Sequence, residues 1–547
     1  MVLGLSLLAC GKPSDVAVVE GRLLGADGKP PALAHVHLVE LGGDFRESVK
    51  SVKVGGDGAF SLSVPRDRYY ELALTAVNHR AARVPLAVDL KRGVKGLEVT
   101  LAANQCSDSL TEVGIFGDWN DFDPGAADPM TRLPGGTFAF ERKVEADTLA
   151  YQLTGVTVDG RGVNGTDADR YHYDGGGDYI SVVAAHGDTA RVTFDPKRLV
   201  IPGSQDLPKV EAARKNAPIE QMFAINRRFE QEIEAATALM MKYWEEHGSI
   251  GGFTYDALTL RQYLMEQIGG RVDLDARKYA AVKLADLLGR DVSLSQDELA
   301  AIGKVLTPSD RVWADSPSSV AEFFRRTEGP ERMAELFEGG LGRIADRRVK
   351  AVMLLEVGLR ARDMGDTAKQ RTVFDDLCGN YADASLPEMV QYRMASELNP
   401  GLRINKGKPL PHFELALLDG SGKVSKQTLQ GKYCLIDLWA TWCGPCVGEM
   451  ANLHKAYERF KGPGFEILSI SFDRRPEDVA QFRAGDWPMP WLNAYSEGMF
   501  QSEAATVFEV AGIPKPILVD PQGMIVECGM GLRGDNLTTV LARYLGE

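Results

Sequence analysis

The stretch Trp442-Cys443-Gly444-Pro445-Cys446 decides how the last part of this chain is read, and its flanks supply the context. Upstream, Tyr433-Cys434-Leu435-Ile436-Asp437-Leu438-Trp439 is a short apolar run rich in strand formers, which predicts a buried strand. Downstream, Val447, Met450, Leu453, His454, Tyr457 and Phe460 recur at helical spacing. Two cysteines separated by two residues can close a disulfide when they sit on the first turn of a helix, and this strand-to-helix junction places them there. The unpaired amides and positive dipole end of a helix N-terminus lower a thiol's pKa, and the thiolate is the nucleophile. Cys443 comes first and is expected to be the more exposed, so it takes the attack on a substrate disulfide. Cys446, one turn further in, resolves the mixed disulfide. Gly444 and Pro445 make the tight entry, since a proline in the first turn lacks only an N–H that would have no partner. A CxxC pair is also half of a zinc site, but the sequence has no second CxxC or CxxH pair. The pair is therefore read as a redox-active disulfide, with no metal and no other cofactor.

Outward from this stretch, 547 residues exceed one hydrophobic core, and three to five domains are expected. The formal charge of −14 (62 Lys and Arg against 76 Asp and Glu) and the lack of a long basic block argue against nucleic acid as a partner. No stretch approaches the roughly eighteen consecutive apolar residues of a membrane span. The seven cysteines, Cys10, Cys106, Cys378, Cys434, Cys443, Cys446 and Cys528, are too scattered for a disulfide framework. Cys434 and Cys378 are expected in packed core.

At the amino terminus, Leu7-Leu8-Ala9-Cys10 closes an apolar run and looks like a bacterial lipobox, which implies a lipid on Cys10 and a tether over residues 1–15. No Lys or Arg precedes the run, so this reading requires a start upstream of Met1; otherwise the match is accidental. A lipid anchor would leave a soluble body at a membrane surface. Residues 16–103 alternate in short strands with Gly and Pro turns and resemble the carboxypeptidase-regulatory-like, or transthyretin-like, β-sandwich. His35 and His37 share one face of a strand, and without a third ligand of suitable spacing they are expected to lie on a solvated face.

Residues 104–200 also read as all-β, with Val113 to Asn120, Gly135 to Phe140 and Tyr151 resembling an early-set sandwich of the glycogen-binding type. Such domains stack sugars on exposed aromatics, but Trp119 has no second Trp near Tyr151 to complete a platform and is expected to pack. After a polar, linker-like stretch from Gln205 to Ala217, helical periodicity runs to about Leu398, with a capping box at Ser295 and Glu298. Residues 205–400 are expected to form helical hairpins that act as a spacer or docking surface.

From Gly407 onward, within residues 405–547, the sequence resembles the TlpA/ResA branch of thioredoxin-like proteins. The resemblance rests on the CxxC stretch, Leu438 to Trp442, Phe465 to Asp473, Met489-Pro490-Trp491, and Gly512-Ile513-Pro514 before Ile517 to Asp520 and Gly523. It implies a C-terminal α/β thioredoxin fold, and with the readings above gives a multidomain fold class: two N-terminal all-β sandwiches, an all-α region and that domain. It further implies a cis Pro514 facing the dithiol, with the Ile513 backbone, Trp442, Gly444 and Pro445 beside the substrate chain. Asp437 stands where thioredoxins keep a proton-relay Asp; burial raises a carboxyl pKa toward the neutral range, which suits that role. Glu449, one turn after Cys446, matches a tuning carboxylate of the TlpA/ResA group. Lys515, where the family usually has a small hydroxyl residue, is expected to face solvent.

The function implied is an extracytoplasmic thiol-disulfide oxidoreductase that reduces protein disulfides. The Gly-Pro dipeptide is that of thioredoxin, whose potential is about −270 mV against about −120 mV for a strong oxidant. A reductant in an oxidising compartment needs electrons, and the resemblance implies a membrane donor of DsbD/CcdA type. A peroxidase is disfavoured because the Thr expected three residues before a peroxidatic cysteine is missing at the CxxC pair. The alternative reading is a surface-anchored protein of the cell envelope whose β-domains bind a glycan or another protein, with redox activity accessory.

Overall fold

The computed structural model describes residues 16–43, 48–66, 69–86, 93–104, 110–157, 161–199, 208–214, 217–247, 253–290, 292–381, 386–485, 487–534 and 536–546. The expected tether with Cys10, and Cys106, lie outside the described residues. A β-rich N-terminal region, a helical middle and a C-terminal α/β domain follow one another in the order expected. The chain divides into two compact units: Met1–Glu230 with Leu258–Arg290 and Leu294–Ser319, and Gln231–Ala257 with Asp291–Ser293 and Val320–Glu547.

In the first unit, period-two burial builds the first pair of sheets. Along Val16–Leu24, Ala17, Val19 and Leu23 point into the core. That strand pairs antiparallel with Ala59–Pro65 and parallel with Val94–Thr100. Ala34–Glu40 pairs with Lys50–Lys53 and Tyr70–Ala76, and Tyr70–Ala76 with Ala82–Leu86. One core cluster, including Val19, Leu38, Leu62, Leu72 and Leu97, draws on both sheets. The linker-like stretch is not purely a linker: Lys209–Glu211 adds an edge strand to Val94–Thr100, because Val210, between two charged neighbours, finds a place in the same core.

The solvated face expected for His35 and His37 is also corrected. His37 is buried, and His35 stacks on Tyr173 at 4.1 Å between ring centroids. The Tyr179 hydroxyl lies 3.2 Å from His35 Nδ1, and the Tyr173 hydroxyl 3.2 Å from His37 Nε2. Burial, and then the neighbouring His35, push the His37 pKa down to about 4, so this ring packs as a neutral group at pH 7.

The strands between Gly114 and Phe194 form an eight-stranded sheet in which Tyr179–His186 pairs with Arg170–Tyr173 and Thr148–Thr154 through its first part and with Thr189–Phe194 at its end. Trp119 is engaged within it. Its indole N–H donates to Asp128 at 2.9 Å, the ring stacks on Phe140 at 5.6 Å, and the Arg142 guanidinium lies 4.9 Å from the ring centre. The capping box forms as read: the Glu298 carboxylate accepts from the Ser295 N–H at 2.7 Å, and Ser295 Oγ accepts from the Glu298 N–H at 3.4 Å.

In the second unit, Arg347–Asp363 and Thr367–Asn380 make a helical hairpin. Gly365, with φ 76°, supplies the left-handed residue that ends the first helix, and Asp366 caps the second. Glu356 is buried in this hairpin and accepts from Arg393 at 2.6 Å and Arg325 at 2.9 Å. Burial opposes its ionisation, but the two guanidinium groups outweigh that and hold its carboxyl below the usual range. Glu356→Gln is expected to destabilise this unit by about 3 kcal/mol at neutral pH, because two arginines lose their buried counterion. The depressed pKa gives stability that is present above the unfolded-state pKa and lost as pH falls through the folded one. The deficit should therefore shrink in acid, which urea unfolding at neutral and acidic pH reads directly.

The C-terminal domain is a five-stranded mixed sheet: β1 (Tyr433–Trp439), β2 (Phe465–Ser471), β3 (Leu492–Tyr495), β4 (Lys515–Val519) and β5 (Ile525–Cys528), in the order β3-β2-β1-β4-β5. The first three are parallel; β4 runs antiparallel to β1, and β5 to β4. Strand β1 lies at the centre with six of its seven residues buried, which explains its near-continuous apolar run. Helices Met450–Phe460, Pro476–Ala484 and Asn536–Leu545 complete the layers.

Candidate active site

Strand β1 delivers the chain to its carboxyl end, where Ala440, Thr441 and Trp442 lead into Cys443. The crevice beyond the carboxyl ends of parallel strands is where open α/β sheets place their sites. The exit loop is anchored: Asp473, just past β2, is 1% exposed and accepts from the Thr441 N–H at 3.1 Å and the Thr441 hydroxyl at 2.6 Å. Ser471 adds a third donor to Asp473 at 2.8 Å.

Cys443 caps a short helix, Gly444–Gly448, with Pro445 in its first turn. Its sulfur accepts from the Cys446 N–H at 3.2 Å, and the two cysteines form a disulfide with their Cα atoms 5.2 Å apart. Cys443 is 5% exposed and Cys446 2%, so the expected order of exposure holds by a small margin and both sulfurs are largely enclosed. The helix breaks at Glu449, which ends this short segment and starts Met450–Phe460, where the sequence had suggested one continuous element.

Asp437 lies on β1, six residues before Cys443, and is 5% exposed. Burial pushes its carboxyl up to about 7, the Ser469 hydroxyl at 3.4 Å lowers it, the Glu449 charge raises it and Arg533 lowers it. Ser469 in turn accepts from the Trp491 indole at 2.9 Å, which holds the hydroxyl in place. Glu449 accepts from the Gly534 N–H at 2.9 Å and the Asn452 amide at 3.0 Å, and pairs with Arg533 at 3.4 Å. Arg533 also donates to the Pro445 carbonyl at 3.3 Å, so one guanidinium joins the CxxC turn to Glu449.

The Ile513–Pro514 peptide is cis. Lys515 pairs with Leu438 across β4 and β1, so Pro514 enters the sheet at the end from which β1 runs toward Cys443. The solvent-facing Lys515 expected from the sequence is corrected: it is 7% exposed and donates to the Glu509 carbonyl at 2.6 Å. All five residues of β4 are buried beside the central strand, so the ammonium is drawn into the fold, and burial lowers its pKa. Trp442 is 51% exposed and meets Phe500, 37% exposed, edge-on at 6.2 Å between centroids. An open aromatic pair thus flanks the cysteines.

Trp442, Cys443, Gly444, Pro445, Cys446 and Glu449 thus follow the carboxyl end of β1, Ile513 and Pro514 lead into β4 beside that end, and Asp437 lies within β1 two residues before it. Residue-by-residue reading missed Asp473, Phe500 and Arg533. Asp473 ends the quoted stretch Phe465 to Asp473 and carried a signal in its three polar neighbours along β2, whereas Arg533 carried none.

Residues 406–528 match the sequence model of the AhpC/TSA family. The C-terminal domain is a thioredoxin-like thiol-disulfide oxidoreductase domain. Over 121 residues the chain is 29% identical to thiol-disulfide oxidoreductase ResA of Bacillus cereus (strain ZK / E33L), an overlap of 22% of this chain and 67% of that protein. It is 32% identical over 114 residues to nucleoredoxin of Homo sapiens, covering 20% of this chain and 26% of that one. Among solved structures, the thioredoxin domain of a thiol-disulfide oxidoreductase from Bacteroides vulgatus is 32% identical and covers 25% of this chain and 96% of that one, with a TM-score of 0.24. The family match lies within the C-terminal domain, and the β-rich and helical parts fall outside it.

Proposed function

We propose that this chain reduces protein disulfides outside the cytoplasm. The observation that carries the reading is the Cys443–Cys446 disulfide past the end of β1, with a buried, near-neutral carboxyl on that strand and the exposed Trp442 next in sequence and against Phe500. In the reduced enzyme the Cys443 thiolate attacks one sulfur of a substrate disulfide. A Cys443–substrate S–S bond forms and the other substrate sulfur leaves as a thiolate. Cys446, having given its proton to Asp437, then attacks Cys443 Sγ, closes the Cys443–Cys446 disulfide and releases the second substrate thiolate. Two electrons pass to the substrate, and each turnover needs two from elsewhere.

A donor of DsbD/CcdA type in the membrane is the partner we assign to that task, with Cys10 as the lipid anchor that keeps the body near it. The Gly-Pro dipeptide supports a reducing role, since thioredoxin with the same dipeptide has a potential of about −270 mV. Among the described residues no helix is long and apolar enough to cross a membrane. The decisive experiment captures substrates with Cys446→Ser in the native host. Proteins joined to Cys443 through cysteines that are normally oxidised are the expected catch. Recovery of no disulfide-linked protein, with the variant folded, would set the reading aside.

A further inference from the structure

The proline loop is braced by a residue from outside the thioredoxin-like fold. Tyr392 lies on the short helix Glu388–Arg393, upstream of that domain, and its hydroxyl donates to the Gly512 carbonyl at 3.4 Å. Its ring carbons Cε2 and Cζ come within 2.8 Å and 3.4 Å of the point where a Cβ on residue 512 would stand. Gly512 is not in the left-handed region, so its backbone does not demand glycine; the ring does. The match of Gly512 with the family pattern thus has a local cause in this chain.

The helix carrying Tyr392 is itself fixed by buried ion pairs. Arg393 pairs with Glu356 at 2.6 Å and with Glu397 at 3.4 Å, and Arg362 reaches Glu397 at 3.7 Å and its carbonyl at 3.2 Å. Gln370 donates to the Leu398 carbonyl at 2.8 Å. The Glu397 carboxyl carbon also lies 3.6 Å from the Cβ position of Gly529, at the end of β5. Tyr392 therefore presses on the loop from a support that is rigid on its far side.

We propose that Tyr392 is a positioning residue of the exchange reaction: by holding the Gly512–Pro514 loop it makes the helical region a determinant of which extended protein chains reach Cys443. This rests on the reading of the site as a reductant of protein disulfides. An extended substrate needs the main chain of the loop in register as well as the Cys443 sulfur, whereas a small disulfide needs the sulfur alone. Loosening the loop therefore penalises the first and spares the second.

The test follows the single-turnover oxidation of the reduced full chain, in which KM stands for the half-saturating probe concentration and kcat for the limiting rate constant, with two probes: Ellman's reagent, and an extended synthetic peptide carrying one cysteine as its glutathione mixed disulfide. Tyr392→Ala is expected to raise KM for the peptide about tenfold while kcat and the Ellman's rate change by about twofold or less. Tyr392→Phe keeps the ring and should restore the peptide KM to within about twofold of wild type. Gly512→Ala should harm peptide reduction when Tyr392 is present and do so less on top of Tyr392→Ala, a coupling that a purely global loss of stability does not produce. If wild type reduces both probes and Tyr392→Ala matches it, or loses both rates in parallel, the proposal is overturned and the reading of the site stands. If wild type reduces Ellman's reagent but not the peptide, the reading of the site fails and takes the proposal with it.

Discussion

Cys443→Ser is expected to abolish disulfide exchange, because it removes the sulfur that caps the Gly444–Gly448 helix and pairs with Cys446. Cys434 is buried on β1, where burial pushes its thiol far above the usual range, and Cys528 is raised by burial as well. Neither can substitute, and Cys378, which is exposed where the sequence had suggested packed core, lies on the helix Thr367–Asn380 with its thiol raised by partial burial and by Asp375. Removing a covalent nucleophile costs about 10⁶ in rate in a serine protease, and a loss of that kind, to the uncatalysed background, is expected here. Cys446→Ser should behave differently: the first exchange still occurs, the second cannot, and the chain accumulates as a mixed disulfide. Stopped-flow reduction of a disulfide substrate, with mass measurement of the product, separates the two. Comparable rates in Cys443→Ser and wild type would exclude the mechanism.

Asp437→Asn should have the next largest effect, on two observables at once. An amide cannot take the Cys446 proton, so the resolving step should slow by about a hundredfold, the lower end of what general acid–base groups contribute. The wild-type rate should rise with pH through a midpoint near 7, where burial has pushed the carboxyl, and the variant should lose that inflection. Stability should move the opposite way. A carboxyl raised from 3.8 to about 7 stays protonated in the fold while the unfolded chain ionises, so the unfolded state binds fewer protons across that interval and stability falls as pH rises. Asp437→Asn removes that slope and should be the more stable protein at about pH 8, by on the order of a few kcal/mol. Parallel pH profiles of rate and of urea midpoint measure both; a variant with the wild-type inflection would assign the proton relay elsewhere.

The residues that sequence reading placed correctly are those whose signals are contiguous. Six buried positions in a row on β1, a CxxC pair and an amphipathic helix announce the junction without any knowledge of the rest, and Asp437 stands out as the one charge inside the apolar run. Residues whose roles depend on distant partners stayed hidden. Tyr392 and Gly512 are 120 residues apart, and Arg533 lies 88 residues from Pro445; neither carries a local pattern that distinguishes it from a surface residue. Lys515 was misplaced because lysine is rarely buried, and only the register beside Leu438 and the Glu509 carbonyl explain why it is here. Val210 and His37 were misjudged for a related reason: a single apolar or aromatic residue in polar surroundings signals little until the surface that covers it is known.

The helical region is less separate from the chemistry than its composition suggests. Glu356, Arg393 and Glu397 hold the segment that touches the proline loop, so the loss of stability expected for Glu356→Gln and the change in substrate KM expected for Tyr392→Ala originate in adjoining parts of one buried network. The second effect is the one that bears on substrate choice.

The account stands or falls on whether these two sulfurs exchange electrons reversibly. Equilibrating the full chain across a series of glutathione ratios, blocking thiols and mapping the label by mass would read this directly. The account predicts a single two-electron transition confined to Cys443 and Cys446, with Cys378, Cys434 and Cys528 labelled as thiols throughout. A pair that stays oxidised or stays reduced across the whole series and under dithiothreitol, or a transition carried by other cysteines, would contradict it.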